Sequence, residues 1–534
     1  MADARHPYPP DVSFDGGDLD CGNGLLLLIR QHIDPLRSGQ LLEIRSQHAS
    51  VEEDLPSWCR LTGNELVSLH HDGGQRSFLV SKGEFVPPAE NSRAVPVGDT
   101  PVPVAATGDG KAGKGRKRHK PRMAVTQPVV SPTLPERLPE PAAAPAIEPL
   151  SVMGVGSWPR PKWLLRALHE HLQGRIDDTE FTEYADDAVR LAVQHQVTAG
   201  VDVVTDGEQR RDNYSSFVGG LLENCQLIPI TDLLPYVDDP QQFERELHAL
   251  DVPAGEVRHP AVFGPLGRGR SLATHEAEFV RTLTDTPVKV SLPGPYLLTR
   301  TMWMECVSDR AYDGRAELAR DIVRILREEA HHLLAAGVSL VQFDEPVLTE
   351  VVHGHVGQGG RTFMCGALGE RQETGTELAF ARDLLQEVVA DLPPERLALH
   401  VCRGNWTGDE TKALAGDYRP LLGLLGDVPV GTAVLELCTS RAGEVETLAD
   451  LPADRRIGVG LINQKNPRVE SVEEVEQRAQ RAINVFGTER VLFNTDCGFA
   501  TFADNPIVTA DAAAAKLSVL TRVRDTLRRA RGEG

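Results

Sequence analysis

The sequence predicts an α/β protein: a C-terminal (β/α)8 TIM barrel, preceded by a small α/β domain and a disordered linker. Three observations carry this reading. Eight short apolar runs recur between residues 152 and 494, with stretches of helical spacing between them. Each run leads into a polar cluster on its C-terminal side, the rim where such barrels collect functional groups from several strands. Residues 89–149 show neither helical nor strand periodicity and are rich in Pro, Ala, Val and Gly, which sets the barrel (150–534) apart from a front domain (1–88).

In the front domain, residues 41–46 (LLEIRS), 65–70 (ELVSLH) and 77–80 (SFLV) read as strands. Residues 25–36 and 51–61 have helical spacing, with Gly39 and Gly63 placed as stops. Cys21 stands just ahead of the first helix, where the helix dipole favours a thiolate. Within the linker, KAGKGRKRHKPR carries seven Lys and Arg and no acid, and reads as a solvated tether.

The barrel strands are expected at 152–155, 201–205, 288–292, 339–343, 396–401, 433–437, 457–462 and 491–494. Several are near-continuous Val, Ile and Leu, as parallel strands buried on both faces require. Between them, residues 321–336 repeat apolar side chains at three and four and stop at Gly337. Ser471 and Glu474 form a capping-box pattern ahead of VEQRAQRAINVF, which Gly487 ends.

Composition narrows the function. The 534 residues hold 56 Lys and Arg against 77 Asp and Glu, a net charge of −21. That acidic balance argues against a general nucleic-acid binder, which needs a basic face. The longest aliphatic run, 25–29, is far short of the ~20 residues of a membrane helix, so no membrane partner is expected. No apolar leader opens the chain, and its eight cysteines are sparse and form no regular framework. They read as reduced thiols of a cytoplasmic protein.

The sharpest local feature is His400-x-Cys402. Residues two apart in a strand face the same side, so both can reach one ion. Glu436 and Cys497 close the sixth and last strands. One nitrogen, two thiolates and at most one carboxylate suit tetrahedral zinc, with Cys438 as a competitor to Glu436. Zinc held by two thiolates can accept a further thiol and lower its pKa, which fits sulfur alkylation better than hydrolysis. No His-Glu-x-x-His motif is present.

The motifs VGSWPRP, VVTDGEQRRDNY, LPGPYLLTR, VQFDEPVLTE, ALHVCRGN, LELCTSRAGE and FNTDCGF resemble the catalytic barrel of cobalamin-independent methionine synthase. HVCRGN and LELCTSRAGE are most similar to shorter single-barrel relatives, which include epoxyalkane:coenzyme M transferase. The resemblance spans about residues 150–530 and implies zinc at His400, Cys402, Glu436 and Cys497. It also implies thiol-substrate contacts from the backbone of Gly156 and Ser157 and from the carboxylates of Glu208 and Asp344. The family's general-acid histidine after strand seven is replaced here by Lys465, one of ten lysines in the chain. A lysine there can donate a proton or bind an anionic group.

Residues 12–84, with DLDCGNGLLLLIRQHIDPLRSGQLLEIRS and DLPSWCRLTGNELVSL, resemble the TusA family of sulfur carriers. That resemblance implies a persulfide on Cys21, although Gly22, Asn23 and Gly24 follow it where the family has a Cys-Pro-x-Pro pattern. Together these readings imply a zinc-dependent thiol methyltransferase, moving a methyl group from a methyl-folate donor to homocysteine. The alternatives are another small thiol as acceptor, or delivery of sulfur from Cys21 to the barrel, with a sulfur-relay protein as partner.

Overall fold

The computed structural model describes residues 6–17, 25–48, 51–72, 75–87, 128–172, 175–229, 258–304, 307–354, 372–404, 414–503 and 507–532. They divide into a front unit ending before residue 129 and a larger unit from Val129 onward. Cys21 and linker residues 89–127 lie outside the described residues.

The front unit runs β1 (Val12–Asp15), α1 (Leu25–Ile33), β2 (Leu41–Ser46), α2 (Val51–Leu61), β3 (Glu65–Asp72) and β4 (Gln75–Ser81). Its sheet has the order β1-β2-β4-β3, with β1 parallel to β2 and the other pairs antiparallel. Leu25, Ile29 and Ile33 recur every fourth residue and pack with Val51, Leu55 and Trp58 against Leu42, Ile44, Phe78 and Val80. Two differences from the sequence reading have simple causes. The four residues of β1 are too few to show alternation, and α1 ends at Ile33 rather than residue 36. Pro35 disfavours helical backbone at Asp34 and cannot donate to the ladder.

In the larger unit, seven parallel strands form one sheet: β5 (Val152–Met153), β8 (Lys289–Pro293), β9 (Leu340–Asp344), β10 (Leu397–Val401), β11 (Thr432–Leu435), β12 (Arg456–Ile462) and β13 (Val491–Thr495). Their order is β5-β13-β12-β11-β10-β9-β8. The segment expected as the second strand is reduced to two parallel bridges, Met153 with Val203 and Val204 with Val288. These join it to both edges of the sheet and close the ring. An antiparallel hairpin, β6 (Glu223–Pro229) with β7 (Arg258–Gly267), is inserted before β8 and was not foreseen. The capping box at Ser471 and Glu474 forms as expected, and the helix Arg315–Ala335 begins before residue 321.

Residues 129–149, part of the linker by composition, carry no helix or strand, but they are held along the barrel. Arg396 donates to Ala142 O and Arg456 to Ile147 O, while Ala142 N reaches Leu334 O. Arginines thus satisfy carbonyls that a proline-rich segment cannot place in a ladder. Ile147 packs against the interior cluster Met153, Val203, Leu340, Ala398, Val434 and Leu492.

That cluster is the floor of the barrel. Moving up by twos along each strand keeps the side chain on the same face. Leu340 therefore leads to Gln342 and Asp344, Ala398 to His400 and Cys402, Val434 to Glu436, and Leu492 to Asn494 and Asp496. The interior changes from apolar to polar and ionisable within two steps. Among the described residues, no helix is long and apolar enough to cross a membrane.

Candidate metal centre

His400 is the penultimate residue of β10, Cys402 lies just beyond that strand, and Cys497 follows β13. Cys497 Sγ lies 3.8 Å from His400 Nε2 and 3.8 Å from Cys402 Sγ. The three ligand atoms lie within 4.8 Å of one another, and all three residues are buried. His400 Nδ1 donates to Val434 O at 3.0 Å, which leaves Nε2 as the nitrogen with a free lone pair. Cys402 is held well below the ordinary thiol range by its hydrogen bond with Cys497 and by His400 beside it.

This donor set fits zinc. Two sulfurs bound tetrahedrally at about 2.3 Å from one ion lie about 3.8 Å apart. The observed sulfur separation is that distance. The two remaining candidates are placed differently. Glu436 lies outside the three-residue group, and its Oε2 accepts from the backbone N–H of Arg403 at 2.8 Å. Cys438 also lies outside it; burial pushes its thiol up, and its backbone N–H donates to Asp496 Oδ1.

Beside the group is a cavity of about 470 Å³, counting its open mouth, lined among others by Ser157, Glu208, Asp344, His400, Cys402 and Cys497. Glu208 adopts a left-handed backbone with φ 55°. Its Oε2 is buried without a hydrogen-bond partner among the described residues. Burial pushes its carboxyl up to about 7, with Arg211 opposing. Asp344 is pushed up to about 6 by burial, against the pull of His400. A buried carboxylate oxygen with no donor is costly until a cationic ligand supplies one.

Gly156 makes room for that carboxylate, since a Cβ there would come within 2.2 Å of Glu208 Oε1. Ser157 Oγ accepts from Ala500 N at 3.2 Å, which leaves its own hydroxyl proton to donate elsewhere. Lys465 is buried at the same rim but does not line the cavity. Burial raises the Glu436 carboxyl, with Arg403 and, to a lesser degree, Lys465 opposing.

Several supporting residues escaped the sequence reading. Arg403 donates to Gly416 O and Ala442 O, and its guanidinium lies 4.2 Å from the centre of the Tyr418 ring. The Tyr418 hydroxyl joins Val401 O to the backbone of Glu436. These contacts pin the ends of β10 and β11 together. Lys289 is fully buried under the cavity, a charge inside the apolar run VKVSL. That interruption is the signal that could have found it.

Comparison with known proteins agrees with this architecture. The family described as "Cobalamin-independent synthase, Catalytic domain" matches residues 150–228 and 251–516. The chain is similar to a methionine synthase of Sulfolobus acidocaldarius, 27% identical over 345 residues, 64% of this chain and 84% of that protein. A methionine synthase of Sulfurisphaera tokodaii is 26% identical over the same coverage. Among solved structures, a B12-independent methionine synthase from Shewanella sp. W3-18-1, in complex with selenomethionine, superposes with a TM-score of 0.53 at 22% identity. The match covers 72% of this chain and 98% of that one, and is a likeness of fold.

Proposed function

The chain belongs to the family of the cobalamin-independent synthase catalytic domain, and from that premise we propose that it is a zinc-dependent thiol methyltransferase. Its default reaction moves the methyl group of a methyl-folate donor to homocysteine, giving methionine. The observation that carries the reading is the juxtaposition of the His400, Cys402 and Cys497 ligand atoms with the Glu208 and Asp344 carboxylates in one cavity.

A zinc ion held by His400, Cys402 and Cys497 would leave a position for the substrate sulfur and favour its thiolate. The residues of the chain do the rest. Glu208 and Asp344 receive the ammonium group of the amino acid, and Ser157 offers its hydroxyl proton to the carboxylate. His400 is kept in one tautomer by Val434 O. In the transfer, a sulfur–carbon bond forms to the methyl group while its bond to the donor nitrogen breaks, and that nitrogen takes up a proton equivalent to the one the substrate thiol released. Glu436, held by Arg403, completes the anionic rim, and Lys465 is the donor-side cation. Loss of both metal and methionine formation in Cys497→Ser supports this reading. Unchanged turnover in a zinc-free protein overturns it.

A second reading concerns the front unit, whose βαβαββ order is compatible with the sulfur-carrier resemblance of residues 12–84. In that reading Cys21 carries a persulfide and receives or passes sulfur through a relay protein. A mass increment of one sulfur on Cys21 supports it. A Cys21→Ser chain that methylates homocysteine at full rate shows that the front unit is not needed for the barrel's chemistry.

A further inference from the structure

Lys289 begins β8 and is completely buried. Its Nζ donates to Gly154 O at 2.5 Å and to Gln342 Oε1 at 2.9 Å. Gln342, equally buried, turns its amide nitrogen the other way. That nitrogen donates to Asp344 Oδ1 at 2.7 Å and has Ser291 Oγ at 3.1 Å and Val155 O at 3.2 Å. Ser291 in turn donates to Val155 O. Gln342 and Asp344 are two apart on β9 and face the same interior.

The chemistry of the amide allows one orientation here. Burial draws Lys289 down to about 7, against the pull of Asp344 and Glu208. Protonated, it has only donors to offer, and an ionised Asp344 has only acceptors. Turning the amide over would set its N–H groups against the ammonium and its oxygen against the carboxylate. Two attractive contacts would become two repulsive ones between buried side chains. A leucine or methionine at 289 would remove that constraint.

We propose that Lys289 is a positioning residue for recognition of the substrate's amino group: it fixes the Gln342 amide, which in turn aims the Asp344 carboxylate into the cavity. The inference rests on the reading that Glu208 and Asp344 receive the substrate ammonium. Lys289 lies below the cavity floor and touches no substrate. It acts through one side chain on another, which gives a role to a basic residue within an apolar strand.

The test uses the full zinc-loaded chain and two ligands, methionine and 4-(methylthio)butanoate, which lacks the α-amino group. Wild-type protein binds methionine more tightly than the deaminated compound. Lys289→Met lowers affinity for methionine roughly tenfold or more, as expected for loss of a charge-assisted hydrogen bond. It leaves affinity for the deaminated compound and the zinc content unchanged. The double variant Lys289→Met/Gln342→Met binds methionine no more weakly than either single variant, because both break one relay. If Lys289→Met does not fold, Gln342→Met carries the same two-ligand comparison. Equal weakening toward both ligands, or effects that add in the double variant, overturns the inference. Wild-type protein that binds both ligands alike overturns the amino-group reading itself.

Discussion

Cys402 and Cys497 are 95 residues apart in sequence, yet their sulfurs lie 3.8 Å from each other at the top of the barrel. They stand at the ends of non-adjacent strands, β10 and β13, so only closure of the sheet brings them together. Short local spacings make most structural zinc sites. A site assembled across the barrel instead depends on the whole fold, and so it reports on it.

Replacing either sulfur should therefore remove the metal and the activity together. Cys402→Ser and Cys497→Ser are each expected to lower zinc affinity at least ~100-fold, since even indirect supports of a metal ligand cost 10–100-fold. Metal content and methionine formation measured on the same preparation check this. Because binding to the folded chain is also stability, chelation should lower the melting temperature of the wild type but not of these variants.

The Glu208 carboxyl, raised by burial to about 7, sets a pH dependence. Below pH 7 it is largely neutral, and above pH 7 it is charged and attracts an ammonium group. Affinity for methionine should rise as pH rises from about 6 to about 8, a window in which the ligand's own ammonium stays charged. Glu208→Gln should flatten that profile. The same shift has the opposite sign for the ligand-free fold. The native state binds the proton more tightly than the unfolded chain between the ordinary Glu value and 7, so stability falls as pH rises across that interval. Calorimetric titration and thermal melts read the two effects separately.

Gly156→Ala should weaken substrate binding without touching the metal. Its new Cβ would sit 2.2 Å from Glu208 Oε1, so the carboxylate must move. Overpacking of this kind costs about 1–3 kcal/mol. The expected result is a raised KM for homocysteine, a modest loss of melting temperature and unchanged zinc content.

Tyr418→Phe tests the clamp between β10 and β11. The hydroxyl bonds Val401 O and both backbone groups of Glu436, so its loss leaves buried partners unsatisfied at about 1–3 kcal/mol. Stability should fall and kcat should drop, while the His400, Cys402 and Cys497 group keeps its metal.

The parallel strands were legible because burial on both faces makes them continuous apolar runs, as in LALHV and VLFNT. Polar residues at their ends, His400, Cys402, Asp344 and Cys497 among them, stood out against those runs. Other features depend on partners remote in sequence. The hairpin of β6 and β7 has no turn signal joining it, because its strands are separated by residues 230–257. Residues 129–149 read as linker because their hold on the barrel comes from arginines hundreds of positions away, as with Arg456 and Ile147. Glu436 was matched to zinc by its strand end, and its Oε2 also accepts from Arg403 N, a backbone donor that no motif displays. Lys289 and Gln342 were absorbed into strand patterns, since periodicity records which face a residue occupies and not what it bonds.

The central claim is that His400, Cys402 and Cys497 bind zinc and leave it open to a substrate thiol. X-ray absorption at the zinc edge, on the purified full-length chain with and without homocysteine, tests this most directly. The account predicts two sulfur ligands and one histidine nitrogen at about 2.3 and 2.0 Å in the free protein, and a third sulfur when homocysteine is added. A protein that holds no zinc, or one whose sulfur count stays the same on adding the thiol, would contradict it.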